Sequence, residues 1–204
     1  MKLYYSPGAC SLSPHIALLE AGLPYDLVKV DLRAKKTESG DDFLAVNPKG
    51  QVPALRLESG EIVTEGPVIV QMIADKAAEK NLAPARDSAE RYKLLEWLNF
   101  LSAELHKTFG PMFVPALADD AKAFFKDRAM GKFQYIDKQL AGRDYLMGKQ
   151  FTVADGYLFT MLSWADALKF DLSAMPNLAA YKARVAARPQ VQEALKKEGL
   201  VQAK

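Results

Sequence analysis

The sequence predicts an α/β domain on a small mixed sheet over residues 1–80, then an all-helical domain over 88–204. Three observations predict it. Short apolar strands alternate with helices through the first eighty residues. A proline-containing run of small and polar residues, Asn81-Leu82-Ala83-Pro84-Ala85-Arg86-Asp87, then reads as a linker over 81–87. Beyond it no strand signal of any length remains, only helical periodicity.

The elements follow in order. Lys2 to Tyr5 is short, apolar and aromatic, as a buried strand should be. Ser6-Pro7-Gly8 turns, and Ser11-Leu12-Ser13-Pro14 opens a helix with capping serines and a first-turn proline. That helix runs from Pro14 to Gly22, with Ile16, Ala17, Leu19 and Leu23 on its apolar stripe. Tyr25 to Val30 alternates as a second strand. Lys35 to Gly40 is polar and expected to be exposed, and Asp41 to Val46 suits a short helix. Asn47-Pro48-Lys49-Gly50-Gln51 is turn chemistry leading into a strand over Val52 to Leu57. The turn Glu58-Ser59-Gly60-Glu61 returns the chain as Ile62-Val63-Thr64, and a helix follows from Pro67 to about Ala77. A parallel pair joined by a helix, then a hairpin, makes a mixed sheet of four strands. In the second domain, helices are expected over Ser88–Phe109, Asp120–Leu140, Asn177–Ala187 and Pro189–Lys197. A central one begins at Phe151-Thr152-Val153-Ala154-Asp155, where Thr152 and Asp155 have capping-box spacing.

Composition narrows the function. Half the residues are hydrophobic and a quarter charged, with 27 basic against 25 acidic and a formal net charge of +2. That balance gives no reason to expect a nucleic-acid or membrane partner. One cysteine makes no internal disulfide, which suits a reducing cytoplasm, and two distant histidines give no dedicated metal site. The N-terminus enters a strand directly, with no secretory h-region.

The candidate site gathers around Cys10, the only thiol, at a strand end where a helix begins. Unpaired N–H groups there favour a negative charge, on this sulfur or on that of a bound ligand. Asn99, Ala103 and His106 fall on one helical face at α spacing. Glu65 beside Gly66 offers a carboxylate and a free N–H to an amino-acid head group. A cis bond at Val52-Pro53 leaves the Val52 N–H and C=O facing outward for an extended peptide.

With those residues in place the chain resembles the bacterial glutathione transferases, most closely the beta class, over essentially its whole length. The likeness is carried by Ser-Pro-Gly-Ala-Cys-Ser, Asn-Pro-Lys-Gly-Gln-Val-Pro, Thr-Glu-Gly, Trp-Leu-Asn-Phe, Glu-Leu-His-Lys and Phe-Thr-Val-Ala-Asp, in that order. The resemblance implies a thioredoxin-like N-terminal domain, a homodimer, and glutathione as substrate with no metal. It implies that Cys10 lies beside the glutathione sulfur. It also implies that Val52 pairs with the cysteinyl part, with Pro53 cis, that Glu65 and Gly66 hold the γ-glutamyl head, and that Lys35 meets the glycyl carboxylate. Asn99, Ala103, Glu104 and His106 come from the helical domain, with the partner subunit supplying some of them. Two departures stand out: relatives often carry serine or threonine at the position of Gly66, and Gly156 cannot form a hydrophobic staple with Phe151.

The expected reaction is attack of the glutathione thiolate on an electrophilic, largely apolar compound, in detoxification or dehalogenation. Cys10, Ser11 and His106 are the candidate catalytic residues, with Tyr5 a hydroxyl rival that reads better as core. Phe109, Met112, Phe113 and Trp164 are candidates for the apolar substrate wall. Cys10-x-x-Ser13 leaves open a one-cysteine thiol–disulfide cycle, and the same fold permits a non-catalytic binder. Keeping Cys10, Val52-Pro53, Glu65 and His106 together argues against the binder.

Overall fold

The computed structural model describes residues 1–201. Strand β1 (Lys2–Tyr5) is central to the sheet because its side chains are buried on both faces. Leu3 and Tyr5 join the main core, and Tyr4 joins a smaller one with Val30, Phe43, Val52 and Ala54. It runs parallel to β2 (Asp26–Asp31) and antiparallel to β4 (Ala54–Arg56), which forms a hairpin with β5 (Ile62–Thr64). Helix α1 (Leu12–Ala21) makes the crossover between the parallel pair. This is the thioredoxin-like arrangement that the resemblance implies, with one correction. The sheet has five strands, β3-β2-β1-β4-β5, because Lys36–Thr37 (β3) pairs antiparallel with β2 at the edge. Thr37 is therefore buried where the sequence suggested an exposed polar loop; its hydroxyl takes the Asp41 N–H and bonds Ser39. The third expected strand also starts later, at Ala54, so Val52 and Pro53 lie outside the ladder.

Helix α2 (Phe43–Val46) is capped by the Asp42 carboxylate on the Leu44 N–H, and α3 (Gly66–Lys76) carries proline in its first turn. Helix α4 (Ala89–Asn99) begins at Ser88, whose hydroxyl accepts the Arg91 N–H. Beyond Asn99 the rod winds as π-helix over Phe100–His106, then as α5 (Lys107–Phe109) and a 3₁₀ turn to Phe113. Helices α6 (Asp119–Gln139), α7 (Val153–Ala167), α8 (Pro176–Ala186) and α9 (Pro189–Lys197) complete the chain. The α7 capping box forms as spaced: Asp155 accepts the Thr152 N–H at 2.7 Å, and also bonds Leu146 N–H and Tyr181 Oη. Burial nonetheless pushes its carboxyl up to about 6.

One core runs through both halves. Helix α1 is buried along most of its length, between the sheet and α3 on one side and α7 and α9 on the other. Gly156 permits this: a Cβ there would stand 3.3 Å from Ile16 Cγ2, so α7 approaches α1 with no side chain between. The missing staple to Phe151 is thus the counterpart of a close helix crossing. A second tie is Arg91, buried at the start of α4, which reaches back to Asp75 at 2.9 Å and to Gln71 on α3.

Candidate active site

A crease of about 620 Å³ lies between the edge of the sheet and the helical rod, within the size range of small-ligand sites. The loop after β1 brings Cys10 to its floor. The Cys10 thiol donates to the Val52 carbonyl at 3.1 Å, across a cis Val52–Pro53 bond. Among the described residues nothing accepts the Val52 N–H, which remains for a ligand. The residue is half-buried and lines the crease. That burial pushes the thiol up to about 11, outweighing the Cys10 and Ser11 N–H groups that favour the thiolate, with Glu65 adding to the rise. The helix terminus expected to ionise this cysteine does not prevail. Cys10 is a neutral hydrogen-bond donor.

Two charged residues mark the ends of the crease, and both have left-handed backbone: Lys35 at φ 57° and Glu65 at φ 70°. Such conformations cost about 1–3 kcal/mol in a residue with a Cβ and persist where surrounding structure enforces them. Glu65 is the N-cap of α3, its carbonyl taken by Val68 and Ile69, so its carboxylate and the Gly66 N–H point out of the helix. Lys49 meets that carboxylate at 2.6 Å and Thr64 Oγ1 at 3.0 Å. At the other end Lys35 Nζ donates to the Gly50 carbonyl at 2.7 Å. Gly50 is required there: it sits at φ 62°, and a Cβ would come within 3.0 Å of Leu44 and 3.3 Å of Lys35.

The opposite wall comes from the helical rod and α7. His106 Nδ1 lies 2.7 Å from Tyr157 Oη, and its ring meets Trp164 edge-on at 4.9 Å. Burial, with Lys107 adjacent, holds His106 down to about 4, while burial raises the Tyr157 phenol. Tyr157 therefore keeps its proton and donates it to Nδ1, which fixes the neutral Nε2–H tautomer. Trp164 Nε1 donates to the Gly8 carbonyl at 2.7 Å and Phe113 stacks edge-on against it at 5.5 Å, closing an aromatic wall. The Gly8 N–H is held from behind by Glu198 at 2.8 Å; that buried carboxylate also bonds His15 Nδ1 at 2.8 Å.

The crease thus brings together Cys10, Lys35, Val52, Pro53, Glu65, Gly66, His106, Phe113 and Trp164. Other expectations need correction. Ser11 is fully buried, and its hydroxyl is committed to the N–H and C=O of Ser6, so it pins the turn while its main chain alone faces the sulfur. The expectation that a partner subunit supplies some of the helical residues stands apart from these: Asn99, Ala103 and Glu104 are exposed outside this chain's own crease, and Glu104 bonds Lys132 at 2.7 Å. Within the π-helical stretch it is Ser102 that lines the crease beside His106. Phe109 is fully buried against Trp164, Phe133 and Phe170, and Met112 is buried as well, so both are core. Tyr5 is core, as expected. The sequence reading missed Tyr157 and Lys49. A lone tyrosine on an otherwise apolar helix was a usable signal for the first, and a lysine in a turn was none for the second.

Comparison with known proteins gives two family models over most of the chain. A glutathione S-transferase N-terminal domain matches residues 8–76 and a glutathione S-transferase C-terminal domain matches 103–198. The glutathione S-transferase GstA of Escherichia coli O157:H7 is 48% identical, covering 98% of this chain and all of its own. A sphingomonad glutathione S-transferase complexed with glutathione superposes with a TM-score of 0.95 at 52% identity, over 98% of this chain and 100% of that one. The beta-class enzyme of Sphingomonas chungbukensis superposes at 0.96 with 51% identity and the same coverage.

Proposed function

The chain belongs to the glutathione S-transferase family, and from that premise we propose how its crease performs the conjugation. Glutathione lies along it with the γ-glutamyl head at Glu65 and the Gly66 N–H. Its cysteinyl main chain sits on Val52, beside Pro53, and its glycyl carboxylate lies near Lys35. The observation that carries this reading is the ordered run of complementary groups: an anion at one end, a free peptide N–H in the middle, a cation at the other. That sequence of charges mirrors an extended tripeptide with an ammonium at one end and a carboxylate at the other.

The tripeptide sulfur then lies beside Cys10 and His106. A thiol with pKa of about 8.5 is only a few per cent ionised at pH 7, so donors that favour the thiolate raise the reactive fraction. The His106 Nε2–H, its tautomer fixed by Tyr157, is one such donor. The single Cys10 proton, which the Val52 carbonyl accepts in the free protein, becomes a second when the ligand's cysteinyl N–H takes that carbonyl in its place. The thiolate attacks the electrophilic carbon, forming the C–S bond as the leaving group departs with its electron pair. Phe113, Trp164 and Tyr157 offer an apolar wall to the electrophile. We place the protein in a reducing cytoplasm, on its single cysteine, and as a homodimer, because α3 and α4 expose Val68 and Tyr92 alongside Asn99 and Ala103. In that assembly Asn99, Ala103 and Glu104 serve the partner's crease rather than their own. Detoxification of xenobiotics is the role this chemistry suits.

Titration calorimetry tests the reading. Glu65→Ala should weaken glutathione binding by roughly 10-fold or more, the loss of a charged hydrogen bond being worth about 1.5–3 kcal/mol. An unchanged dissociation constant removes Glu65 from the site.

A further inference from the structure

In the free protein the Glu65 carboxylate is already occupied by the Lys49 ammonium at 2.6 Å, which Thr64 Oγ1 tethers at 3.0 Å. Both side chains are more than half exposed, so the pair is an open one, formed at the mouth of the crease, with room to part. Position 66 has no side chain, leaving its N–H as the only donor that residue offers to a carboxylate. From these three facts we propose that Lys49 selects for an intact α-amino-acid head. The ligand ammonium takes Glu65, and the displaced Lys49 turns to the ligand α-carboxylate that Gly66 holds by one bond.

The selectivity follows from charge balance. A Glu–Lys pair and a zwitterionic head are each neutral, so exchanging partners leaves no ion uncompensated. A head carrying an ammonium but no α-carboxylate takes Glu65 and strands Lys49. An exposed pair of this kind is worth about 0.2–1 kcal/mol, so the competing arm changes affinity by at most about five-fold. The gained contact, charge-assisted and made to a carboxylate held at a helix start, exceeds the competing arm by about 3–10-fold in affinity.

The proposal rests on the glutathione reading above, and its test distinguishes the two. Calorimetry on the full chain compares glutathione with its decarboxylated analogue, γ-aminobutyryl-cysteinyl-glycine, for wild type, Lys49→Met and Lys49→Arg. Lys49→Met should weaken glutathione binding about 3–10-fold while tightening the analogue about 2–5-fold, an inversion of sign. Lys49→Arg should keep the wild-type order of the two ligands. Changes of the same sign for both ligands, or none for either, overturn the proposal while leaving glutathione in the crease. A wild-type protein that binds neither ligand overturns the underlying reading instead.

Discussion

Cys10 invites use as a nucleophile because it is the one thiol in the chain, yet its surroundings keep it protonated. With its pKa at about 11, the thiolate amounts to about one part in ten thousand at pH 7. An ordinary exposed cysteine, at about 8.5, is about 3 per cent ionised, so ionisation alone separates the two by about 300-fold. Carbamidomethylation by iodoacetamide, followed by mass spectrometry, should therefore proceed about 300-fold more slowly at Cys10 than at a free thiol. The logarithm of that rate should climb with pH at unit slope through pH 10, where an ordinary thiol has levelled off. A fold that opened under alkali would imitate the rise, so circular dichroism at each pH belongs with the measurement. A plateau below pH 9 would show a stabilised thiolate and refute the reasoning. The same argument covers turnover: Cys10→Ala removes one neutral donor worth about 0.5–1.5 kcal/mol, so conjugation of an activated aryl halide should fall by less than about 15-fold. Disulfide exchange through a thiol this weakly ionised is slow, which sets that reading below conjugation.

Other substitutions probe neighbouring parts. Gly66→Ser has room, since a Cβ there stands 3.9 Å from Pro53 Cγ; it should tighten glutathione binding about 2–10-fold by calorimetry, and no gain would mean the hydroxyl does not meet the ligand. His106 is held at about 4 against an unfolded value near 6.5, so the unfolded chain binds more protons between those limits. Stability should accordingly fall as pH drops from 6.5 towards 4, by less than about 3 kcal/mol given the partial exposure of the ring, and urea titrations of His106→Asn should lose that acid limb. Glu198→Ala orphans the Gly8 N–H and buried His15 together and should cost about 3–5 kcal/mol in denaturant unfolding; Glu198→Gln, which keeps an acceptor, should cost clearly less.

Much of this molecule was readable from local pattern. Strand β1, the proline-led start of α3 and the Thr152–Asp155 box each rest on signals within a few residues, and each stands where that signal put it. Cys10, Val52-Pro53, Glu65-Gly66 and His106 could be brought to one place because motif order constrains where a chain of this type folds. What escaped notice depends on geometry without a local signature. The π-helical stretch is one: Phe100 to His106 read as ordinary α-helix and wind as π-helix instead. Strand β3 is two residues long and polar, stabilised through Thr37 by Ser39 and Asp41 rather than by hydrophobic alternation. The state of Cys10 depended on how much protein surrounds a sulfur, a quantity that no spacing rule supplies.

Gly8 and Glu198 meet at 2.8 Å although 190 positions separate them along the chain. The loop that carries the reactive corner is therefore held by the carboxylate that follows α9. Anything that loosens α9 or replaces Glu198 slackens the backbone just ahead of Cys10, so a substitution remote on a linear map is an intimate one in space.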